Sequence, residues 1–255
     1  AASDVYKRQL LTGIVFSRMT GWGEGKKWHR ALIPAAIMLA MPQFWIPITH
    51  GFYDVCTLIS VCVIWLILLS DINYKPILKA LALGALLASL LFMRRWFGYW
   101  IISFLPALFF VWAWAKIKKQ APLTDLKFII FAGLAFTAIF WIFAAPIGRH
   151  MLTTNYSDTF QAFKHGDSTL TVIWEAMIHY GMTSLAFAGV GFYWAVKNKS
   201  TRTISTFIGI QSLITLLMFA RVQRIDQHHH YQFLIAVALF QAMFLWFLWQ
   251  KTLTR

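Results

Sequence analysis

Apolar runs of about 15–20 residues recur along the whole chain, separated by short polar connections. A run of this length, nearly free of charge, matches the hydrocarbon thickness of a bilayer. The runs lack period-two alternation, so they predict membrane-spanning α-helices and not barrel strands. The predicted fold class is an all-α polytopic transmembrane helix bundle. It has a truncated first helix ending in "LLTGIVF" (10–16) and eight full spans, at residues 31–48, 56–70, 77–93, 97–115, 128–145, 178–196, 204–220 and 233–250.

The opening string "AASDVYKRQ" (1–9) resembles the translation of a sequencing adaptor, and we expect it to be an artefact and not part of the fold. Residues 10–255 then form a single transmembrane domain, expected to be the C-terminal part of a longer protein. The longest polar interruption covers 146–177. Its second half is predicted to form an interfacial helix, or the start of one long helix that continues to residue 196.

Charge sets the expected orientation of the bundle. The 255 residues carry a net charge of +14, which basic cytoplasmic loops explain better than a nucleic-acid partner does. Fifteen Lys and Arg residues lie in one alternating set of connections, at 17–30, 71–79, 116–127, 197–203 and the C-terminus. Only six lie in the other set, at 49–55, 94–96, 146–177 and 221–232. We therefore expect an integral membrane protein whose first set, including the C-terminus, is cytoplasmic.

The other titratable residues favour the opposite face. Seven of the eight histidines, and five of the eight acids that follow the opening string, lie in or beside the outer connections. Groups that bind or transfer protons are therefore concentrated outside, and any chemistry is expected there.

The richest outer stretch is "RVQRIDQHHHYQF" (221–233). If the preceding helix continues, Arg221, Arg224 and His228 share one face. Guanidinium and imidazole groups at a membrane boundary suit a lipid phosphate or pyrophosphate. Asp226 lies four residues before His230 and is placed to orient it. The alternative is a polar belt that only anchors the helix ends in the headgroups. The candidate phosphate-binding residues are Arg221, Arg224, His228, His229 and His230.

Two shorter outer connections add secondary candidates. "ITHGFYDV" (48–55) contains His50 and Asp54, and Asp54 is either a base that binds a hydroxyl or a helix cap. "MRRWFGYW" (93–100) contains Arg94 and Arg95, which either anchor headgroups or bind an anionic substrate.

A divalent metal is a weaker hypothesis. Glu175 and His179 have i, i+4 spacing and would need one of the three consecutive histidines to complete a site. Adjacent histidines on a helix point in different directions, so one triplet is a poor source of two ligands. No cofactor is otherwise expected.

The polytopic plan, the outer polar loops, "RRWFGYW" and "RVQRIDQHHHYQF" together resemble the C-type membrane glycosyltransferases that use polyprenyl-phosphate sugars. The protein mannosyltransferases and lipid A aminoarabinose transferases are of this kind. The resemblance implies a bacterial inner-membrane transferase that consumes a lipid-linked sugar at the outer face. It also implies a catalytic Asp or Glu in the first outer loop, which would lie upstream of Leu10, so the sequence in hand would be inactive without it. Arginine and histidine would then stabilise the departing polyprenyl phosphate.

Other functions use the same outer groups. A transporter or flippase for a lipid-linked or anionic solute needs charges near mid-membrane, and the predicted spans contain almost none. A surface-polysaccharide polymerase or ligase needs a large arginine-bearing outer loop, whereas the largest one here has only Arg149 and Lys164 as cations. A non-enzymatic scaffold does not need the cluster of histidine and arginine.

Overall fold

A computed structural model describes residues 2–20, 32–49, 57–70, 75–94, 96–153, 168–222, 225 and 227–253. These residues form eleven α-helices and one 3₁₀ turn, Gln227–His230, and contain no β-strand. The helices are α1 (Ala2–Thr20), α2 (Leu32–Ala40), α3 (Pro42–Thr49), α4 (Thr57–Leu69), α5 (Pro76–Met93), α6 (Phe97–Ile117), α7 (Leu126–Thr153), α8 (Thr169–Tyr180), α9 (Met182–Lys197), α10 (Arg202–Val222) and α11 (Tyr231–Leu253). The predicted all-α fold class is confirmed.

Five of the described helices are long and apolar enough to cross a membrane: α5, α6, the Leu126–Phe143 part of α7, α10 and α11. A helix satisfies its own backbone hydrogen bonds, which is what a segment in hydrocarbon requires. The chain is accordingly an integral membrane protein. The other three predicted spans correspond to shorter helices, namely α4, α9 and the pair α2 and α3.

The prediction of one continuous helix over 31–48 is wrong. The helix ends at Ala40, and a second one begins at Pro42. Proline has no backbone N–H, and its ring collides with the carbonyl of the preceding turn, so it starts a helix more readily than it continues one. The extended apolar run therefore becomes two short helices.

Two further boundaries differ from the prediction, and a third that the sequence left open is defined by the structure. α1 begins at Ala2 and continues to Thr20, beyond the expected stub at 10–16. α7 continues to Thr153, so the polar interruption expected from residue 146 starts as helix. The open question at 170–196 has a definite answer, because α8 and α9 are separate helices that meet at Gly181. Gly181 has a φ of 79°, in the left-handed region that glycine adopts without strain.

The most extensive contacts join α9 to α11, α5 to α7, and α6 to α10. Small residues allow the first two pairs to approach closely. A Cβ added at Gly191 would meet the carbonyl oxygen of Phe240, and one added at Gly84 would lie 2.6 Å from the Cβ of Ala135. Close packing of this kind drives helix association in lipid, where the hydrophobic effect between helices is lost.

α11 is the central helix of the bundle. In its most apolar window, 61% of the residues are buried inside the protein, against 22% for α7. A buried polar seam joins two of the other spans, α6 and α10. The hydroxyls of Ser103 and Thr215 are 2.6 Å apart, and the side-chain amide of Gln211 donates to the carbonyl of Trp100 at 3.2 Å. Hydrogen bonds between membrane helices of this kind help to fix their register.

The bundle has two polar ends, which are named here for use below. The histidine end contains α3, the last turn of α8, Trp96 and the 3₁₀ turn before α11. The basic end contains the connections 118–125 and 198–201, with the exposed lysines around them. Antiparallel packing of successive spans brings each set of connections to its own end.

Candidate functional site at the histidine end

The stretch 221–233 does not continue the preceding helix, contrary to one premise of the sequence analysis. α10 ends at Val222, and the 3₁₀ turn Gln227–His230 leads into α11. Between them Ile225 is buried against Phe219 and Val172, in a small apolar cluster separate from the main core. Burial of this one apolar residue draws the connection back onto the bundle. Ile225 is not helical, so Arg221 and His228 do not belong to one continuous helix, and Arg224 lies outside the described residues.

His229 and His230 are both buried, with 4% and 2% of their surfaces exposed. The His229 ring packs against the rings of Trp96 and Phe219, at centroid distances of 5.2 and 4.6 Å, and those two rings also contact each other. The His230 ring instead packs edge-on against Tyr180 at 4.9 Å. The two adjacent histidine rings thus pack against different residues, as expected for consecutive positions on a helical turn.

Three hydrogen bonds from side chains to the backbone hold this end together. The Tyr180 hydroxyl donates to the carbonyl of His230 at 2.9 Å, and the Tyr231 hydroxyl donates to the carbonyl of Phe44 at 2.9 Å. The side-chain amide of Gln43 donates to the carbonyl of His179. These bonds join α3, α8 and α11, so the position of His230 depends on segments far apart in the sequence.

The structure brings His179 beside His230. Their ring centroids are 5.6 Å apart, and the planes meet at 71°. His179 is exposed whereas His230 is buried, so the pair extends from the surface inward. Glu175 is half-buried one turn earlier on α8. Within the described residues, no three His, Cys, Asp or Glu side chains form a group able to hold a metal ion.

The two described arginine candidates lie at the ends of their helices. Arg221 is exposed in the last turn of α10. Arg94 is half-buried just after α5, and its backbone N–H donates to the carbonyl of Leu90 at 3.0 Å. The remaining candidates, or their side chains, lie outside the described residues: His50, Asp54, Arg95, Arg224, Asp226 and the side chain of His228.

An apolar groove of about 530 Å³ opens between α8, α9, α10 and α11. Small residues, including Gly189 and Ala236, leave its space open. A Cβ added at Gly189 would have no atom within 4 Å. Tyr180 forms part of its wall and also donates a hydrogen bond to the carbonyl of His230, so one wall residue of the groove contacts the histidine pair. A groove of this composition fits a hydrocarbon chain, and the polar groups at one end fit its headgroup.

Gln232 is a buried polar residue that the sequence did not single out. It is buried in the first turn of α11 with 5% of its surface exposed. Its amide nitrogen and oxygen have no hydrogen-bond partner among the residues that the structure describes. Tyr180 and Gln43 were also missed, because Gln43 is the one polar side chain in its apolar run and Tyr180 had no evident partner beside the titratable His179. Only contact with distant segments reveals their positions.

No family model, curated protein or solved structure matches this chain significantly.

Proposed function

We propose that this protein is a membrane glycosyltransferase that takes a sugar from a polyprenyl-phosphate donor. The observation that carries the proposal is the apolar groove whose wall includes Tyr180, because the Tyr180 ring packs against His230 and the His230 ring lies beside His179. A lipid-linked phosphate has the same two-part chemistry, a hydrocarbon chain joined to an anionic group. The groove accepts the chain, and the imidazoles meet the phosphate.

The proposed reaction is a direct displacement at the anomeric carbon. A carboxylate removes the proton of the acceptor hydroxyl, and Asp54, outside the described residues, is the candidate within this sequence. The acceptor oxygen forms the new bond to the sugar while the bond from the sugar to the phosphate oxygen breaks. The polyprenyl phosphate leaves with the electron pair, and cationic or hydrogen-bonding groups stabilise its growing charge.

His179 and Arg221 are the described candidates for that stabilising role, since both are exposed at the histidine end. His230 is proposed to position His179 and to close the inner side of the phosphate site. His229 is assigned a packing role, because it is buried against two aromatic rings. His229 and His230 therefore have different roles, and the side chain of His228 lies outside the described residues.

Photo-crosslinking tests the binding half of the proposal. A polyprenyl phosphate with a diazirine in its isoprenoid chain is irradiated with the purified protein, and the labelled peptides are mapped. The expected label lies on α9 and α10 and is displaced by unlabelled polyprenyl phosphate more strongly than by uncharged polyprenol. If polyprenyl phosphate and polyprenol displace the label equally, the protein does not recognise the phosphate, and that part of the proposal is wrong.

A matched pair of glycine variants tests whether the groove is the site. Gly189→Leu fills open space in the groove and is expected to abolish the label. Gly133→Leu makes the same change on α7, where an added Cβ makes only an ordinary contact with Leu105, at 3.6 Å. It is expected to keep the label. Loss of the label in both variants, or in neither, contradicts the assignment.

The fate of the donor separates transfer from transport. Proteoliposomes are supplied with a polyprenyl-phosphate sugar labelled in the sugar, and lipid and water-soluble fractions are separated. A transferase breaks the bond between sugar and phosphate, so the label leaves the lipid fraction once an acceptor is supplied. A flippase moves the intact donor between leaflets and leaves the label on the lipid.

A further inference from the structure

The basic end contains a second cavity, far from the histidines. It has a volume of about 610 Å³ and lies where three segments meet: the last residues of α4, the connection between α6 and α7, and the start of α10. Its polar lining includes Gln120, Lys199, Ser200 and Arg202. Its apolar lining includes Leu69 and Leu123. The cavity is therefore amphiphilic and not simply a gap between apolar helices.

The cationic side of this cavity is held rigidly. The guanidinium of Arg202 donates to the carbonyls of Val196 and Lys197, at 2.8 and 3.1 Å. The Thr201 hydroxyl donates to the carbonyl of Ala195 at 2.6 Å, and Ser200 bonds to the side chain of Asn198. Arg202 thus has a fixed position, and its hydrogen-bond partners are backbone carbonyls and not carboxylates.

The surroundings add to the positive potential. Lys199 is exposed at the cavity, and Lys118 and Lys119 are exposed on the connection that forms its opposite wall. Asp125 is the one acidic residue in the described part of these two connections. Thr203 adds a hydroxyl to the cavity lining. The site therefore offers cations and a hydroxyl to an anion.

We propose that this cavity binds the phosphate of an anionic phospholipid in the leaflet at the basic end. Lys199 and Arg202 face the phosphate, and the leucines of the lining contact the first carbons of the acyl chains. Basic pockets between membrane helices bind acidic headgroups in this manner. The site is independent of the sugar chemistry at the histidine end, and it gives the bundle a preference for acidic lipid.

Native mass spectrometry of the full chain in detergent tests this, with phosphatidylglycerol and phosphatidylcholine as the probes. Wild type is expected to retain phosphatidylglycerol preferentially. Lys199→Gln is expected to weaken that retention about fivefold, from the roughly 1 kcal/mol that one basic residue contributes near an anionic lipid surface. Lys127→Gln removes an equally exposed lysine that does not line the cavity, and it is expected to leave retention unchanged.

A filling variant separates the cavity from general surface charge. Ala121→Trp occupies part of the cavity without changing the net charge, and it is expected to reduce retention of phosphatidylglycerol. The proposed site is wrong if Ala121→Trp retains phosphatidylglycerol as well as wild type does. It is also wrong if Lys199→Gln and Lys127→Gln lose retention equally. Glycerol 3-phosphate, which lacks acyl chains, is the competitor that distinguishes a lipid ligand from a soluble one. If it displaces phosphatidylglycerol at equal concentration, the ligand is a soluble phosphate ester, and the lipid assignment is wrong.

Discussion

At the histidine end, hydrogen bonds from side chains join distant parts of the chain, whereas at the basic end the lysines are exposed and the hydrogen bonds join near neighbours. The bond from Tyr231 to Phe44 spans 187 residues. The bond from Thr201 to Ala195 spans six. Long-range bonds between buried groups tie the histidine end to the packing of the whole bundle. The basic end depends mainly on its own local turns, so its charges are free to meet ligands or headgroups.

The largest expected effect comes from a change that disturbs both ends together. Gly191→Leu puts a side chain where the backbone of Phe240 lies, so α9 and α11 must separate. We expect a loss of at least about 3 kcal/mol in the free energy of unfolding, measured by titration with sodium dodecyl sulfate in mixed micelles. Gly189→Leu, on the same helix but in open space, is the control. Similar losses in both variants would contradict the close approach at Gly191.

Two histidines at the same end test whether burial sets their importance for stability. His229→Ala removes a buried ring packed against Trp96 and Phe219, and is expected to cost about 2–3 kcal/mol of unfolding free energy. His179→Ala removes an exposed ring and is expected to change the same quantity by less than about 0.5 kcal/mol. Equal costs would contradict the separation of packing and surface roles.

Tyr231→Phe tests the long-range bond at the histidine end. It removes the hydroxyl that donates to Phe44 and leaves a buried carbonyl without that donor, at an expected cost of about 1–2 kcal/mol. Hydrogen exchange is expected to rise in both α3 and α11. Tyr193→Phe, at an exposed tyrosine, is the control and should leave exchange unchanged. A rise confined to α11 would contradict coupling between the two segments.

The smallest structural effect is expected at the basic end. Thr201→Val removes a buried hydroxyl that donates to Ala195, at a cost of about 1 kcal/mol. Faster hydrogen exchange is expected only in amides 198–202, because the bond closes a local turn. If hydrogen exchange also rises in α3 or α8, the basic end is not stabilised by local contacts alone, and the contrast with the histidine end is wrong. Lys127→Gln is the control and is expected to leave hydrogen exchange unchanged.

The sequence was sufficient for the helices, because apolar runs of bilayer length have few alternatives to helix. It predicted α5, α6, α10 and α11 to within about three residues at each end. The errors occurred where one residue overrides a long pattern. Pro42 divides the run at 31–48, and Ile225 draws a polar connection onto the bundle. Neither effect is visible in the average hydropathy of a window.

The candidate site was predictable only in part. The concentration of histidine near the last span was visible from the sequence, and so was the possibility that His179 joins one of the three histidines. That possibility was raised for a metal site with Glu175, which the described residues do not form; what the structure shows is the His179 ring 5.6 Å from the His230 ring, centroid to centroid. Tyr180, Gln43 and the groove were not foreseen, since their proximity depends on the packing of four helices.

Composition, run length and charge alternation by themselves determined an integral membrane protein built from helices, with most of its lysines and arginines in one set of connections. These properties are local, because each span meets the bilayer on its own. Only the tertiary structure decided which polar residues are buried together. Adjacent histidines separate to different neighbours because successive positions on a tight turn point in different directions, and the helices that surround the turn determine what each one meets.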